Sequence, residues 1–293
     1  LTLYESTTDA TRDKRDEHRV STARRSRFLD DVSFEGTSGA AYVQELQSFA
    51  ADSLAANHPL LVALANGDFR DPSRALRGFL GQYYHYSRRF TRYLAGVSAQ
   101  LEAPEHRAAL IGNSAEEVGR IDAEAERELR SAGIDPADAA FPHPELFQRF
   151  LRAIDVDPRN GHAHAPLLAT SAWIETFHGI CSQSGEAQAV GALGIATEGI
   201  VPGMYRYVLR AIGRSFPSLS KRDRVFFDLH ATVDDEHAEV LRDIAAALAA
   251  TAGERRALAL GTLRALQARE TFFGELYGHL RAVDLDLQPG QAP

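Results

Sequence analysis

Cysteine is nearly absent: Cys181 is the only one in 293 residues. No intramolecular disulfide framework is therefore possible, and the usage fits a reducing cytoplasm. A run of about 18 apolar residues, the shortest that reads as a membrane span, is also missing. The N-terminal stretch lacks an apolar signal core, so a soluble, cytoplasmic chain with no membrane partner is expected. Positive charge is in deficit, with 32 basic against 40 acidic residues and a net charge of −8, which argues against a nucleic-acid partner. No segment alternates with the period of a strand, and no glycine-rich phosphate loop occurs. The 44% hydrophobic and 25% charged residues that remain are those of a globular protein with a sizeable core.

Helical periodicity begins near Ala40 and persists. Residues 1–36 are dense in charge and hydroxyls, with the basic cluster Arg24-Arg25-Ser26-Arg27, and read as a mobile arm or a strap. Residues 37–283 form one domain, and 284–293 a frayed tail. Helix starts are expected at Asp71-Pro72-Ser73, at Pro104 and at His143-Pro144, with breaks at Asn57-His58-Pro59, Gly133-Ile134-Asp135-Pro136 and Ser184-Gly185. One helix should run from Pro72 to Leu94, and a glycine- and alanine-rich one from Glu186 to Ile212, kinked at Pro202. The fold class is all-α, with about seven to nine helices.

The chemistry concentrates in Phe226 to Leu241, which lacks Gly and Pro and reads as one helix. Spacings of i, i+4 and i+7 put His230, Asp234 and His237 in one column. Two imidazoles and a carboxylate are costly to bury without a cation, and they are donors that suit non-haem iron. Glu198 is a second buried-carboxylate candidate, set inside the apolar run Leu193 to Val201. Glu116 and Glu117 form an acidic pair upstream, and His162 and His164 fall in a polar loop. The aromatic run around Tyr83, Tyr84 and His85, together with Trp173, Phe177 and Arg206, supplies candidates for a pocket wall, each with an ordinary packing or surface reading beside it.

Glu117-Val118-Gly119, His143-Pro144-Glu145-Leu146-Phe147, Glu198 before Pro202 and Tyr205, and His230-x-x-x-Asp234-x-x-His237 together resemble the ligand series of the heme-oxygenase-like di-iron oxidases and oxygenases. The resemblance covers residues from about 40 to 260 and implies a TenA-like bundle of about seven core helices. It implies two Fe(II) ions held by Glu117, His143, Glu198, His230, Asp234 and His237, with O2 as co-substrate. Relative to the family pattern this chain carries an insertion ahead of His143, which keeps Glu116, Glu124 and Glu128 as alternatives to Glu117. Residues 74–101 contain no Asp or Glu, so no further ligand is expected from them.

The function implied is O2-dependent oxidation of a small amino-containing metabolite, with N-oxygenation first and oxidative C–C cleavage or C–H functionalisation of an amino acid next. An external reductant and a homodimer are further implications of the resemblance. A metal-free TenA-like or quinone-cofactor-synthase-like enzyme is the alternative on the same scaffold, and a non-enzymatic helical binding protein is a third. A ferritin-like bundle using Glu175-x-x-His178 and Asp234-x-x-His237 is disfavoured by spacing, which makes Glu175 and His178 core or supporting groups.

Overall fold

Side-chain caps mark the starts of several helices. A computed structural model describes residues 24–30, 33–157, 165–232 and 235–285, with the side chains of 232 and 235–237 outside that description. Ser38 accepts from Ala41 N ahead of α1 (Gly39–Ala51), and His58 caps α2 (Pro59–Asn66) through Nδ1. Asp71 caps α3 (Pro72–Ser87), whose Pro72 occupies the first turn. The chain then breaks at Arg88-Arg89 and resumes as α4 (Phe90–Gln100), so the single helix expected from Pro72 to Leu94 is two. Next come α5 (Pro104–Glu117), α6 (Ala123–Ser131), α7 (Pro136–Ala139), α8 (His143–Ala153) and α9 (Leu168–Gln183).

The glycine-rich stretch is also not one helix. It consists of α10 (Glu186–Val190), a π-helical segment (Gly191–Glu198) and α11 (Val201–Ser215). Pro202 has no N–H to return to the Glu198 carbonyl, and Gly199 N closes instead on Gly194 O at 2.8 Å, an i to i−5 bond. All eight residues of the π segment are buried. The chain continues as α12 (Lys221–Thr232), α13 (Asp235–Leu248) and α14 (Ala252–Asp284), the last opened by a reciprocal Thr251/Glu254 capping box.

The 33-residue α14 is the spine, packing against the π segment, α9 and α10. Its contact with the π segment depends on two glycines: a Cβ at Gly261 would lie 2.0 Å from Gln188 O, and one at Gly191 would lie 2.2 Å from Leu258 O. Around this spine α13 packs on α1, α11 on α2, and α12 on α8 and α11. No strand occurs among the described residues. The described part of the N-terminal arm is docked as a strap: Phe28 and Phe34 are buried against Tyr42, and Arg25 pairs with Glu270 at 3.0 Å. Asp284 closes the other end by accepting from Arg70 N and Asp71 N.

Candidate metal centre

Four helix ends converge on one cavity. Glu117 is the last residue of α5, His143 the first of α8, Glu198 the last of the π segment, and His230 lies in the last turn of α12. Their exposures are 3, 6, 6 and 8%. Glu117 Oε2 stands 3.0 Å from His143 Nδ1. One donor atom from each of Glu117, His143 and His230 falls within 4.8 Å of the others. Glu198 lines the same cavity, whose interior offers about 30 Å³ to water-sized occupants.

The surroundings suit a cation. Glu117 ends a helix, where the negative end of the dipole opposes a carboxylate, so a positive ion offsets both the dipole and the burial. His230 Nδ1 is 2.6 Å from the Phe226 carbonyl. A carbonyl only accepts, so Nδ1 carries the proton and Nε2 keeps the lone pair, the arrangement that orients a metal-binding imidazole. Neighbouring donors at right angles about an ion with bonds of about 2.1 Å are separated by about 3.0 Å, which the Glu117–His143 distance matches. Buried nitrogen and oxygen donors of this kind fit iron.

Aromatic rings pack against the cluster. Phe226 lies 4.4 Å from the His230 ring and stacks on Phe147 at 4.6 Å, and Tyr205 approaches His230 at 5.7 Å. Tyr205 donates to Tyr83 Oη at 3.3 Å. Burial pushes the phenols of Tyr83, Tyr86 and Tyr205 up, against the opposing influence of Arg269, so all three are neutral hydroxyls at physiological pH.

The structure thus brings together Glu117, His143, Glu198, His230 and Tyr83 from the residues singled out in the sequence. Asp234 lies outside the described residues, as do His162 and His164, and so does the side chain of His237. Glu116 and Glu128 are half-buried and Glu124 is exposed, and none belongs to the cluster that Glu117 forms.

Tyr84, His85, Trp173, Phe177 and Arg206 do not line this cavity, contrary to expectation. Tyr84 points at Phe147 and accepts from Gln148 Nε2, while His85 is buried on α3 and its carbonyl accepts from Arg89. Trp173 is sandwiched between Tyr86 and Phe272, at 3.8 and 4.5 Å. Phe177 packs on Tyr86 and Tyr93, and Arg206 is exposed at a separate surface cleft beside Asn57 and Arg210. Glu175 and His178 are exposed because α9 turns Trp173, Ile174, Phe177 and Cys181 inward; this corrects their reading as core or supporting groups.

Thr197 lines the cavity and was missed, as was Arg269 behind it, whereas Tyr86, which also lines it, belongs to the aromatic run read as a possible pocket wall. Tyr86 follows Tyr83 by one helical turn and Thr197 precedes Glu198, so both shared a face or a run with a chosen residue. Arg269 occupies a core-facing position between Leu266 and Phe273, a signal that was present in the pattern.

Comparison with known proteins agrees with the fold. Two 4-aminobenzoate synthases resemble the chain. That of Chlamydia trachomatis serovar D is 24% identical over 182 residues, covering 62% of this chain and 69% of the relative. That of Chlamydia muridarum is 22% identical, covering 67% and 74%. Among solved structures, a heme-oxygenase-like domain of unknown function from Shewanella denitrificans OS217 superposes with a TM-score of 0.62 at 18% identity, over 82% of this chain and 92% of its own. A TenA homolog from Pseudomonas syringae pv. tomato DC3000 gives 0.61 at 15% identity, over 85% and 96%. A CADD-like protein of unknown function from Nostoc punctiforme PCC 73102 gives 0.63 at 17% identity, over 80% and 95%. The family described as iron-containing redox enzyme matches residues 77–270. That span holds all four converging helix ends, and the chain belongs to the iron-containing redox enzymes of heme-oxygenase-like fold.

Proposed function

We propose that this protein is an O2-dependent non-haem di-iron oxygenase or oxidase that N-oxygenates a small amine. The observation that carries the reading is the buried Glu117–His143–His230 cluster, with Glu198 in the wall of the same cavity. Glu117, His143 and His230 would hold iron, with Glu198 beside them in the same cavity, and Asp234 and His237 are the remaining ligands that the resemblance implies. Bound iron supplies the redox capacity that activates dioxygen.

The chain's own residues set the conditions. Phe226 and Tyr205 put apolar ring surface against the His230 imidazole, which lowers the local dielectric and strengthens electrostatic interactions there. The Phe226 carbonyl fixes the His230 ring in one orientation. Tyr83 and Tyr205 offer hydroxyls that orient a substrate without adding charge. In the net reaction one oxygen atom forms the N–O bond of a hydroxylamine and the other leaves as water, with two electrons from an external reductant and two protons from solvent. The name of the Chlamydia relatives, 4-aminobenzoate synthase, supports chemistry on a small molecule bearing an amino group.

The test is anaerobic titration of metal-free protein with ferrous iron, followed by rapid mixing with O2. Two irons per chain and a transient visible absorption are expected, both lost in His230→Ala and Glu198→Ala. Absence of specific iron uptake by the wild-type protein sinks the reading.

A further inference from the structure

Arg269 places a permanent charge where charge is costly. It is 1% exposed on α14, and its guanidinium lies over the rings of Trp173 and Tyr86 at 5.6 and 5.8 Å. Nη2 donates to Thr197 Oγ1 at 3.1 Å and to Tyr86 Oη at 3.5 Å. Among the described residues, Nε and Nη1 have no hydrogen-bond partner and no carboxylate pairs with this side chain. A buried cation of this kind is offset when an anion comes within reach of its field.

The two hydroxyls lead from Arg269 to the cavity, because Thr197 and Tyr86 both line it. Their oxygens are 3.5 Å apart, and that contact uses at most one of their two protons. Neither hydroxyl donates to any other group among the described residues. At least one O–H is therefore free to point into the cavity, polarised by the cation behind it. The iron-ligand candidates Glu117, His143 and His230 line the same small space.

We propose that the Thr197–Tyr86 wall, backed by Arg269, binds a carboxylate, and that the substrate is a small amino acid or amino-substituted carboxylic acid. The amine end of this assignment rests on the oxygenase reading above, whereas the carboxylate end rests on the Arg269 geometry alone. Glu117 and Glu198 put negative charge into the same cavity, and a bound metal ion neutralises it. The anion is accordingly tested with and without metal.

The chain carries its own reporter. Trp173 is the sole tryptophan, and its ring stacks on Tyr86 at 3.8 Å and 12°. Its fluorescence is followed while metal-free and Zn(II)-loaded proteins are titrated with acetate and with its neutral counterpart acetamide. A saturable response to acetate in at least one form is expected, with none to acetamide at the same concentrations. Thr197→Val, which keeps the shape and removes one oxygen, should weaken acetate at least fivefold, and Arg269→Gln should abolish the response. Thr197→Val decides the matter if Arg269→Gln does not fold. Equal responses to acetate and acetamide, no saturable acetate response in either form, or a change below fivefold in Thr197→Val overturns the proposal. If Zn(II) is not taken up, the metal reading fails and the metal-free titration alone decides the carboxylate site.

Discussion

Glu117 Oε2 and His143 Nδ1 meet at 3.0 Å from the two ends of the segment that contains α6 and α7. The ends are pinched two residues beyond Glu117 and two before His143. Gly119 has φ +85° there, and a Cβ on it would lie 2.6 to 2.8 Å from the backbone of Phe141. A residue with a side chain would meet both a left-handed backbone and a collision.

Gly119→Ala is therefore expected to separate the Glu117–His143 pair and to cost about 2 kcal/mol or more. Loss of ferrous-iron uptake together with a lower Tm would bear this out. Gly112, on the same helix with open space around it, is the control: its alanine variant should hold or gain stability.

The crossing of α14 over the π segment makes a second prediction. Gly261→Ala drives a methyl into the Gln188 carbonyl, a backbone atom that no rotamer change can move. A loss of about 2–3 kcal/mol is expected in denaturant titration. An unchanged midpoint would show that the crossing yields more readily than its packing implies.

His58 makes stability depend on pH. Burial pulls this imidazole from its usual 6.5 to about 4, and its Nδ1 accepts from Leu60 N, which requires the neutral ring. Between those values the unfolded chain holds a proton that the folded chain does not. Stability is thus fully present above pH 6.5, falls as pH drops through the window, and levels off below about 4. The full effect is on the order of 3 kcal/mol. His58→Asn keeps a capping side chain and removes the titration, so the difference between variant and wild type, followed by urea denaturation across the window, should narrow or reverse at acid pH.

Cys181 should be silent toward thiol reagents. It is buried against Gly96 and Tyr93, and burial pushes its thiol well above the usual range. A chromogenic disulfide reagent at pH 8 should find no reactive thiol in the folded protein and one per chain in denaturant. Rapid modification under native conditions would mean that α4 and α9 open easily.

Local signals located several of the helix starts. Asp71-Pro72, Asp135-Pro136 and Thr251 with Glu254 cap where their side-chain chemistry dictates, and alternating inward faces did the rest. Local signals failed where the helix itself deviates. Periodicity alone does not reveal the π segment, because its i to i−5 bonds arise from Pro202 downstream and from the packing of Gly191 against α14.

The same division holds for the centre. The sequence by itself determined which side chains are available: Glu117, His143, Glu198 and His230 could be named from their types and their resemblance to a ligand series. It could not tell Glu117 from Glu116 or Glu128, nor say that Trp173 and Phe177 face the core away from the cavity while Tyr86 and Thr197 face into it. Those choices depend on how α5, α8, α12 and the π segment rotate and cross. That is fixed by contacts between distant segments, the Gly119–Phe141 pinch and the Gly261–Gln188 crossing among them. Periodicity gives each helix a buried face, and only long-range packing decides what that face meets.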